Sequence, residues 1–397
     1  MAAIEDYVQG RSPLSPDQIH RLRELIADWQ LLSDLSFADL ILWVPLRKDF
    51  KSWPTGYVAV AHIRPTTAAT LFPLDVIGDE ISHGKRPHID QALSSAEIVR
   101  DTQPEQMGEY LVKEETIPVM FDGHVIGVIS RHRNAELMRQ PSRLELNYRE
   151  IAHKLYRMIS EGTFPYPDAG SLFDPAPRVG DGLIRLDVNG VVSYASPNAR
   201  SAFSRLGWMS EVEGHNLGEV AQSLARVKPD AQEETIALGL TGKSLKRVEI
   251  ENAAGTIDFT VLPLIKSGDR SGAIVMLNNV TELRRREREL VTKDATIREI
   301  HHRVKNNLQT ISSLLRLQAR RLESAEAKEA VAESVRRIRT IALVHETLSR
   351  EPGEDIAFIE IVRPLLRLVE EGLQSADRPV QFAVKGDGGR MPATVAT

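Results

Sequence analysis

Two adjacent histidines, His301 and His302, are the residues of this chain whose type and setting most clearly suggest chemistry. They lie in a stretch with the apolar period of an α-helix that packs along one stripe. We assign Ile297 and Val304 to a positions of a heptad and Ile300 to a d position. In that phase His301 flanks the seam and His302 points to solvent. A neutral imidazole on an exposed helix face can act as a nucleophile near neutral pH.

The helical pattern extends well beyond the two histidines. Its first apolar row recurs every seven residues, at Leu283, Leu290, Ile297, Val304 and Ile311. A second row consists of Ile300, Leu308, Leu315 and Leu322. The mixed charges of residues 283–290 are typical of the solvated flanks of a coiled coil. The histidines therefore belong to a helix that packs against partner helices.

The run from His302 to Leu308 reads His-Arg-x-Lys-Asn-Asn-Leu. It resembles the phosphoacceptor box of sensor histidine kinases, in the subfamily that reads H-R-x-K-N, whereas the commoner box reads H-E-x-R-[TN]-P-L. The resemblance implies that His302 is the phosphorylated histidine, with His301 as the alternative. A bare pair of adjacent histidines is more often solvated than reactive, but the full box inside sustained heptads reverses that preference.

The same resemblance implies roles for the residues around His302. Arg303 and Lys305 offer positive charge to the phosphoryl oxygens. Asn306 matches the position that orients water when such proteins dephosphorylate their partner. In the commoner kinases an acid follows the histidine and takes its proton, and Arg303 replaces that acid here. Glu299, one turn before His302, is a candidate for the role, and a group on an ATP-binding domain is another.

In the resembling family, the histidine attacks the γ-phosphorus of Mg·ATP and the phosphoryl group moves to an aspartate of a response regulator receiver domain. Positioning and charge neutralisation matter more than covalent help in such a transfer. The resemblance therefore implies ATP and Mg²⁺ as cofactors and a receiver domain as partner, with an RNA-binding antiterminator regulator as the leading expectation. The alternatives are an ATP-independent phosphorelay or scaffold protein and a ligand-binding dimerisation module.

The composition is that of a globular protein with several domains. The 397 residues suffice for two to four domains, and the net charge of −5 gives no reason to expect direct nucleic-acid or membrane binding. The absence of cysteine excludes disulfides, thiolate metal sites and iron–sulfur clusters. No apolar run approaches a membrane span and Met1 opens no signal peptide, so we expect a cytoplasmic protein.

Residues 1–161 predict an α+β domain. Ser15 and Pro16 start a helix that we expect to continue to about Leu35. Strands are expected at 40–45, 57–63, 70–76, 116–120 and 124–130, and a closing helix over 144–159. This order, and the run from Asp28 to Asp39, resemble the GAF-like sensor of cytosolic actinobacterial histidine kinases. No histidine pair has tight metal-ligand spacing, so we expect no metal site.

Residues 162–178 are rich in Pro and Gly, which predicts a linker. Residues 179–280 then predict a strand, a tight Asn189-Gly190 turn, a strand, a helix and three strands at 247–251, 256–264 and 272–278. This segment resembles a PAS domain, whose opening pattern is matched by Asp187, Gly190, Asn198 and Ala199. Either sensor could hold a small-molecule ligand, which the sequence does not identify.

Residues 281–350 predict a signalling helix followed by an antiparallel helical hairpin, which is half of a four-helix bundle. Thr281 is expected to cap the first helix, and a turn near residue 323 is expected to end it. In the resembling family this region is the dimerisation and histidine phosphotransfer domain. We expect a homodimer because a single hairpin exposes an apolar stripe formed by Val304, Ile311 and Leu315.

Residues 351–397 resemble the incomplete start of an ATPase α/β sandwich. The N-box asparagine, the D-x-G motif and the Gly-rich lid of such domains do not occur in these residues, so ATP and Mg²⁺ are expected to bind through a missing domain. The chain alone is therefore expected to be inactive. The expected fold class is α+β multidomain, with a GAF-like α/β sensor, a PAS α/β sensor, a long signalling helix with its hairpin, and the start of the ATPase sandwich.

Overall fold

The computed structural model describes residues 4–101, 103–135, 140–166, 178–225 and 239–348, with parts of the segment 355–392. The chain forms two compact units, residues 1–282 and residues 283–397. The first unit is mixed α+β and contains two antiparallel sheets. The second unit consists mainly of two long helices.

The first part of the first unit is built on one sheet. Its elements are α1 (Ile4–Val8), α2 (Pro16–Ala27), α3 (Trp29–Ser36), β1 (Asp39–Leu46), β2 (Gly56–Ile63), β3 (Glu80–Ser82), α4 (Pro87–Ser95), β4 (Val99–Arg100), β5 (Glu105–Met107), β6 (Tyr110–Phe121), β7 (His124–Asn134) and α5 (Arg143–Ser160). Within the described residues, seven strands pair in the order β3-β2-β1-β7-β6-β4, and β5 pairs with β6 at the edge. We call this the first sheet.

The central strand β1 is apolar from Leu40 to Leu46 because both of its faces are covered. Leu40 and Leu42 pack in a cluster with the helices α2, α3 and α5. Ile41 and Trp43 point to the opposite face, where α4 packs. Alternate residues of a strand face opposite sides of a sheet, so a continuous apolar run is what a strand buried on both faces requires.

The single helix expected from Pro16 to about Leu35 is wrong, because two helices meet at Asp28. The Asp28 N–H ends α2 by donating to Glu24 O and Ile26 O, and α3 starts at the next residue. The break lets both helices bury their apolar faces in the same cluster. Burial, and then the charge of Glu24, raise the pKa of the Asp28 carboxyl to about 7.

The strand expected at 70–76 is also wrong. The buried carboxylate of Asp39 accepts hydrogen bonds from Thr70 Oγ1 at 2.6 Å and from the Leu71 N–H at 2.9 Å. These bonds hold the segment as a loop against the start of β1, and Pro73 has no N–H for a strand ladder. The signal missed in the sequence is the long-range partner of Asp39, which lies 31 and 32 residues away.

The other strands predicted for the first sheet and the closing helix are confirmed at nearly the expected positions, whereas β3, α4, β4 and β5 were not predicted. Asp122 and Gly123 both have positive φ angles, 48° and 71°, as the predicted tight turn between β6 and β7 requires. The closing helix is α5, which starts with a capping box in which Ser142 and Glu145 satisfy each other's backbone N–H groups.

The second part of the first unit is a smaller sheet, called here the second sheet. Its elements are β8 (Leu183–Leu186), β9 (Val192–Ala195), α6 (Pro197–Arg205), α7 (Leu217–Leu224), β10 (Lys246–Asn252), β11 (Gly255–Lys266) and β12 (Asp269–Asn279). Within the described residues, five strands pair antiparallel in the order β10-β11-β12-β8-β9. Helices α6 and α7 pack on one face. The three strands expected after the helix are confirmed.

The tight Asn189-Gly190 turn is wrong in detail. A five-residue loop joins β8 to β9, and of these two residues Gly190 alone has a positive φ, 80°. The Asp187 carboxylate closes the loop by accepting hydrogen bonds from the N–H groups of Asn189 and Val191 at 2.8 and 2.9 Å. An aspartate that binds the backbone two residues on stabilises such a loop without two left-handed residues.

The two sheets share one apolar core through α5. The free face of the second sheet contributes Leu183, Leu264 and Met276 to the cluster that contains Ile159 of α5. Arg185 donates two hydrogen bonds of 2.6 Å to the Glu150 carboxylate on α5, at the rim of that core. The described part of the predicted linker is packed as well, because Phe164 is buried in the same cluster. Residues 167–177 lie outside the described residues.

The second sheet leads directly into the first long helix. Thr281 does not cap that helix as expected, because it is the first helical residue. Its hydroxyl accepts a hydrogen bond from the Thr256 N–H at 2.9 Å and donates one to the Thr256 carbonyl. Asn279 Oδ1 accepts the Thr281 N–H at 3.1 Å. The hydroxyl thus ties the helix start to β11, and the Asn279 amide ties it to the end of β12.

The second unit is an antiparallel hairpin of long helices. Its elements are α8 (Thr281–Ala319), which starts in the first unit, α9 (Ala325–Leu348), β13 (Asp355–Ala357) and β14 (Arg390–Pro392). The turn expected near residue 323 is confirmed, and the Ser324 hydroxyl accepts the Ala327 N–H to start α9. None of the helices in the described residues has the length and apolarity needed to cross a membrane. Most of residues 349–397 lie outside the described residues.

Candidate functional site

All six residues expected to carry the chemistry lie on α8, within two helical turns. They are Glu299, His301, His302, Arg303, Lys305 and Asn306. His302 is exposed and His301 is half-buried. This difference follows the predicted order, in which His302 faces solvent and His301 lies beside a packed face. The exposed imidazole leaves room for a reacting phosphoryl group.

The residue after His302 is engaged by the candidate proton acceptor. Arg303 Nε donates a hydrogen bond of 2.7 Å to Glu299 Oε1, one turn earlier on the same exposed face. This hydrogen bond and the charge of Arg303 lower the pKa of the Glu299 carboxyl. Glu299 is therefore ionised and adjacent to His302, but its carboxylate is directed to Arg303.

Lys305 lies on the side of α8 that faces α9. It lines a groove of about 420 Å³ between the two helices, together with Gln309, Ser312, Ser313, Arg316, Arg339 and Ala342. The described lining residues include three cations and no carboxylate. Arg316 and Arg339 were missed in the sequence, although Arg316 follows Lys305 by eleven residues, which is close to three full turns and the same helix face. We call this the basic groove.

The two apolar rows of α8 have different environments. Leu308 and Leu315 of the second row are half-buried in the hairpin, on the side of the buried Ser312. Other apolar residues of α8 remain about half exposed, among them Ile297 at 46%, Ile300 at 53%, Ile311 at 45% and Leu314 at 56%.

The expected stripe is therefore corrected. In a single hairpin Ile300 is exposed, and the exposed stripe consists of Ile297, Ile300, Ile311 and Leu314 rather than Val304, Ile311 and Leu315.

The histidines of the first sheet that the sequence left unassigned fall into two settings. His132 is buried, its Nε2 lies 2.9 Å from Ser130 Oγ, and Trp43 Nε1 donates to the same hydroxyl at 2.8 Å. Burial lowers the pKa of His132 to about 3, so the ring is neutral at physiological pH. It packs edge-on against Phe72. His132 is therefore a core residue.

His88 lies in a group that could hold a metal ion, which the sequence analysis did not expect. Ligand atoms of His88, Asp101 and Glu114 lie within 4.8 Å of one another. His88 Nδ1 is 2.9 Å from Asp101 Oδ1, and Arg86 pairs with Glu114 at 2.9 Å. The three residues are far apart in sequence, and the packing of α4 on β4 and β6 brings them together. Spacing alone could not have revealed this group.

In the second sheet, His215 packs edge-on against Trp208, with ring centroids 5.5 Å apart. This contact is structural and resembles neither a ligand set nor a catalytic pair.

Comparison with known proteins identifies the class of the molecule. Residues 299–373, which include the two histidines, the second half of α8 and the whole of α9, match a family described as "Histidine kinase". Residues 4–152 match the "Histidine kinase PdtaS, GAF domain". The first sheet is thus the GAF sensor that the sequence analysis expected, and the hairpin is a histidine kinase domain.

The whole chain is similar to known sensor kinases. The "Sensor histidine kinase PdtaS" of Mycobacterium tuberculosis is 39% identical over 408 residues, which cover 100% of this chain and 79% of the relative. The protein of the same description from Mycolicibacterium smegmatis is 39% identical over 402 residues, with the same coverage. A solved "Sensor region of a sensor histidine kinase" covers 72% of this chain and 100% of its own, with 33% identity and a TM-score of 0.61. The chain belongs to the PdtaS family of sensor histidine kinases.

Proposed function

We propose that His302 accepts a phosphoryl group from Mg·ATP and passes it to an aspartate of a response regulator receiver domain. The observation that carries this proposal is the exposure of His302 on α8, next to Arg303 and one turn before Asn306, inside the segment that matches the histidine kinase family. An in-line attack needs free approach along the Nε2 lone pair, and the exposed face of α8 allows that approach. ATP and Mg²⁺ would bind through a domain other than the two sheets and the hairpin.

The charges around His302 suit a transferring phosphoryl group. Arg303 follows it directly, and Lys305 lies one turn on, at the end of the basic groove. Catalysis of phosphoryl transfer rests mainly on such positive charge and on positioning. The acidic metal-binding pocket of a receiver domain carries the complementary charge, so the basic groove is the surface on which we place the regulator.

Glu299 is retained as the candidate proton acceptor, with one condition. Because its carboxylate is bound by Arg303, it must exchange that hydrogen bond for one to the imidazole before it can take a proton. Arg303 is then released toward the phosphoryl oxygens. One exchange would thus serve both roles, while Asn306 would orient the water that removes phosphate from the regulator.

The remaining assignments concern the architecture. We assign residues 179–280 to a PAS domain, because a five-stranded antiparallel sheet with helices on one face matches the expected pattern. The boundaries at 161, 178, 280 and 350 stay predictions, as does the ATPase start at 351–397. The exposed stripe of the hairpin supports a homodimer. An RNA-binding antiterminator regulator remains the expected partner type.

The proposal is tested by labelling variants with γ-phosphate-labelled ATP, in a form of the chain joined to a complete ATP-binding domain. His302→Gln is expected to abolish acid-labile phosphohistidine. His301→Gln is expected to lower the rate and leave labelling detectable, because His301 is half-buried beside the acceptor. Labelling of the His302 variant together with loss in the His301 variant would show that the assignment is reversed.

A transfer assay separates this function from an ATP-independent phosphorelay. A kinase of the proposed kind labels itself from ATP before any receiver domain is added. A phosphorelay protein gains label only when a phosphorylated receiver domain is supplied, whatever ATP domain is attached. Glu299→Gln is expected to slow labelling from ATP about 10-fold or more if the carboxylate takes the proton.

A further inference from the structure

A pair of cavities lies at the end of the first sheet where β6 and β7 meet the first half of α5. One cavity, of about 230 Å³, is lined by residues of β4, β6, β7 and α5. The other, of about 170 Å³, lies between the start of β1, the end of β7 and α5. Arg133 of β7 and Arg149 of α5 line both cavities. These two arginines are therefore the shared wall.

The larger cavity has an excess of positive charge. Its cations are Arg100, Lys113, Arg131, Arg133 and Arg149, and its carboxylates are Asp101, Glu114 and Glu115. The carboxylates are already occupied. Glu115 pairs with Arg100 and Arg131, Glu114 pairs with Arg86, and Asp101 pairs with His88.

Arg133 and Arg149 are left without a counter-charge. Among the described residues, neither guanidinium makes an ion pair or a side-chain hydrogen bond, and Arg149 Nε is buried without a partner. Burial, followed by the charges of Arg149 and Arg131, lowers the pKa of Arg133. A buried donor without an acceptor costs about 1–3 kcal/mol, and more when it is charged. Arg149 Nε, beside the partly buried Arg133, therefore lacks an acceptor among the residues that the structure describes.

We propose that Arg133 and Arg149 bind a small oxyanion, a carboxylate or a phosphate, in this site of the GAF sensor. Planar guanidinium groups match both anions with paired hydrogen bonds. The volumes admit an anion of a few heavy atoms. The anion site is placed at the two arginines, apart from Asp101 and Glu114, which line the same cavity and belong to the group around His88. This inference goes beyond the proposed phosphotransfer and does not depend on it, because binding is measured without any kinase reaction.

The site is tested on the full chain by calorimetry and thermal unfolding, with sodium phosphate and sodium malonate as probes against sodium chloride at equal ionic strength. Saturable binding of either probe is expected, and the tighter probe identifies the ligand chemistry. Arg149→Gln and Arg133→Gln are each expected to weaken binding about 10-fold or more, since each removes charge-assisted hydrogen bonds. Arg149→Lys should retain part of the affinity, because lysine keeps the positive charge but lacks the planar guanidinium with its paired N–H donors.

Arg157→Gln is the matched control, because Arg157 lies exposed on the same helix two turns after Arg149. It should leave binding unchanged. Without ligand, Arg149→Gln should unfold at the same or a higher temperature than the parent, because it relieves crowding of like charges. Three results would overturn the proposal: no saturable binding beyond chloride, an equal loss in Arg157→Gln, or a loss of binding that accompanies a lower unfolding temperature in Arg149→Gln.

Discussion

The two sheets and the helical hairpin differ in how completely they bury their apolar residues. In the first unit, each described strand of the second sheet and the central strands of the first are covered by helices or by the other sheet. In the described part of the hairpin, the buried residues are Ser312 and Val335. The sheets form a finished core, whereas the hairpin leaves a large apolar surface open.

This difference in burial suits two different roles, rigid positioning of buried groups in the sheets and contact with other molecules in the hairpin. A finished core holds binding groups in fixed positions, as the buried polar contacts of Asp39 and His132 illustrate. The hairpin instead carries the proposed phosphoacceptor on its exposed face and has an exposed apolar stripe. Contiguous exposed apolar surface marks an interaction site. We therefore expect the sheets to be stable by themselves and the hairpin to associate with a second copy.

The largest expected effect is a cavity in the finished core. Phe259 is fully buried and packs against Phe203, with ring centroids 5.8 Å apart. Phe259→Ala should destabilise the first unit by about 3–5 kcal/mol, because the lost contacts leave a cavity. All four tryptophans precede residue 210, so tryptophan fluorescence during heating reports on this unit. Ile300→Ala, on the half-exposed stripe, should leave that transition within about 0.5 kcal/mol of the parent. An equal loss of stability in both variants would contradict the difference in burial between the sheets and the hairpin.

The second prediction concerns a titrating group inside the finished core. Asp28 has a folded pKa of about 7 against an ordinary pKa of 3.8, so between these values the folded state binds more protons than the unfolded one. Its contribution to stability is complete below the lower value and is lost as pH rises to about 7. Asp28→Asn removes this slope and should gain up to about 4 kcal/mol over the parent between about pH 4 and pH 8.

The gain is measured as the difference in urea unfolding free energy between the Asp28 variant and the parent at each pH. Asp17→Asn is the control, because Asp17 lies exposed at the start of α2. Its difference from the parent should stay within about 0.5 kcal/mol. A constant difference for Asp28→Asn as well would contradict the raised pKa.

The third prediction addresses the open surface of the hairpin. Replacing both Ile297 and Ile311 by Ser should raise the dissociation constant of the dimer about 100-fold, since burying each isoleucine contributes about 1.5–3 kcal/mol. Sedimentation velocity over a micromolar concentration series measures this constant. Ala295→Lys, which alters an exposed residue outside the stripe, should leave it unchanged. A parent chain that sediments as a monomer throughout would show that the stripe is not a dimer interface.

The smallest effect is expected at the point where the sheets meet α8. Thr281→Val removes the two hydrogen bonds between the hydroxyl and the backbone of Thr256. We expect a loss of about 1–2 kcal/mol in the first unit, because the Thr256 N–H is left without its partner. Thr310→Val, at a hydroxyl that binds its own helix, is the matched change and should cost less. Hydrogen exchange of the Thr256 amide measures the loss of this hydrogen bond directly. Unchanged protection of that amide in Thr281→Val would contradict the prediction.

The sequence predicted the elements that depend on local patterns. The Asp122-Gly123 hairpin, the closing helix α5 and the long helix α8 each follow from patterns of neighbouring residues, and all three are present. One error arose where a distant partner decides the conformation, because Asp39 holds Thr70 in a loop. The other error was local, because the Asp187 carboxylate closes a loop where a tight turn was expected.

The candidate site shows the same division. The residues from Glu299 to Asn306 lie close together in the sequence, so the phosphoacceptor box could be recognised from the sequence. Arg133 and Arg149 lie in one cavity, and His88 lies near Asp101 and Glu114, only because the fold brings distant strands and helices together. Likewise, the face of the hairpin on which Ile300 lies could not be settled by heptad phase. The heptad period predicts which residues lie on the same side of a helix, but it does not predict which other helix packs on that side.

The most direct test of the central claim is to locate the phosphoryl group in the wild-type sequence. The chain, joined to a complete ATP-binding domain, is labelled with ATP, digested under alkaline conditions that preserve phosphohistidine, and sequenced by electron-transfer fragmentation. Adjacent histidines are resolved by the fragment ions that separate residue 301 from residue 302. The account predicts the added mass on His302, the exposed residue of the pair. Added mass on His301, or on a histidine outside α8, would contradict it.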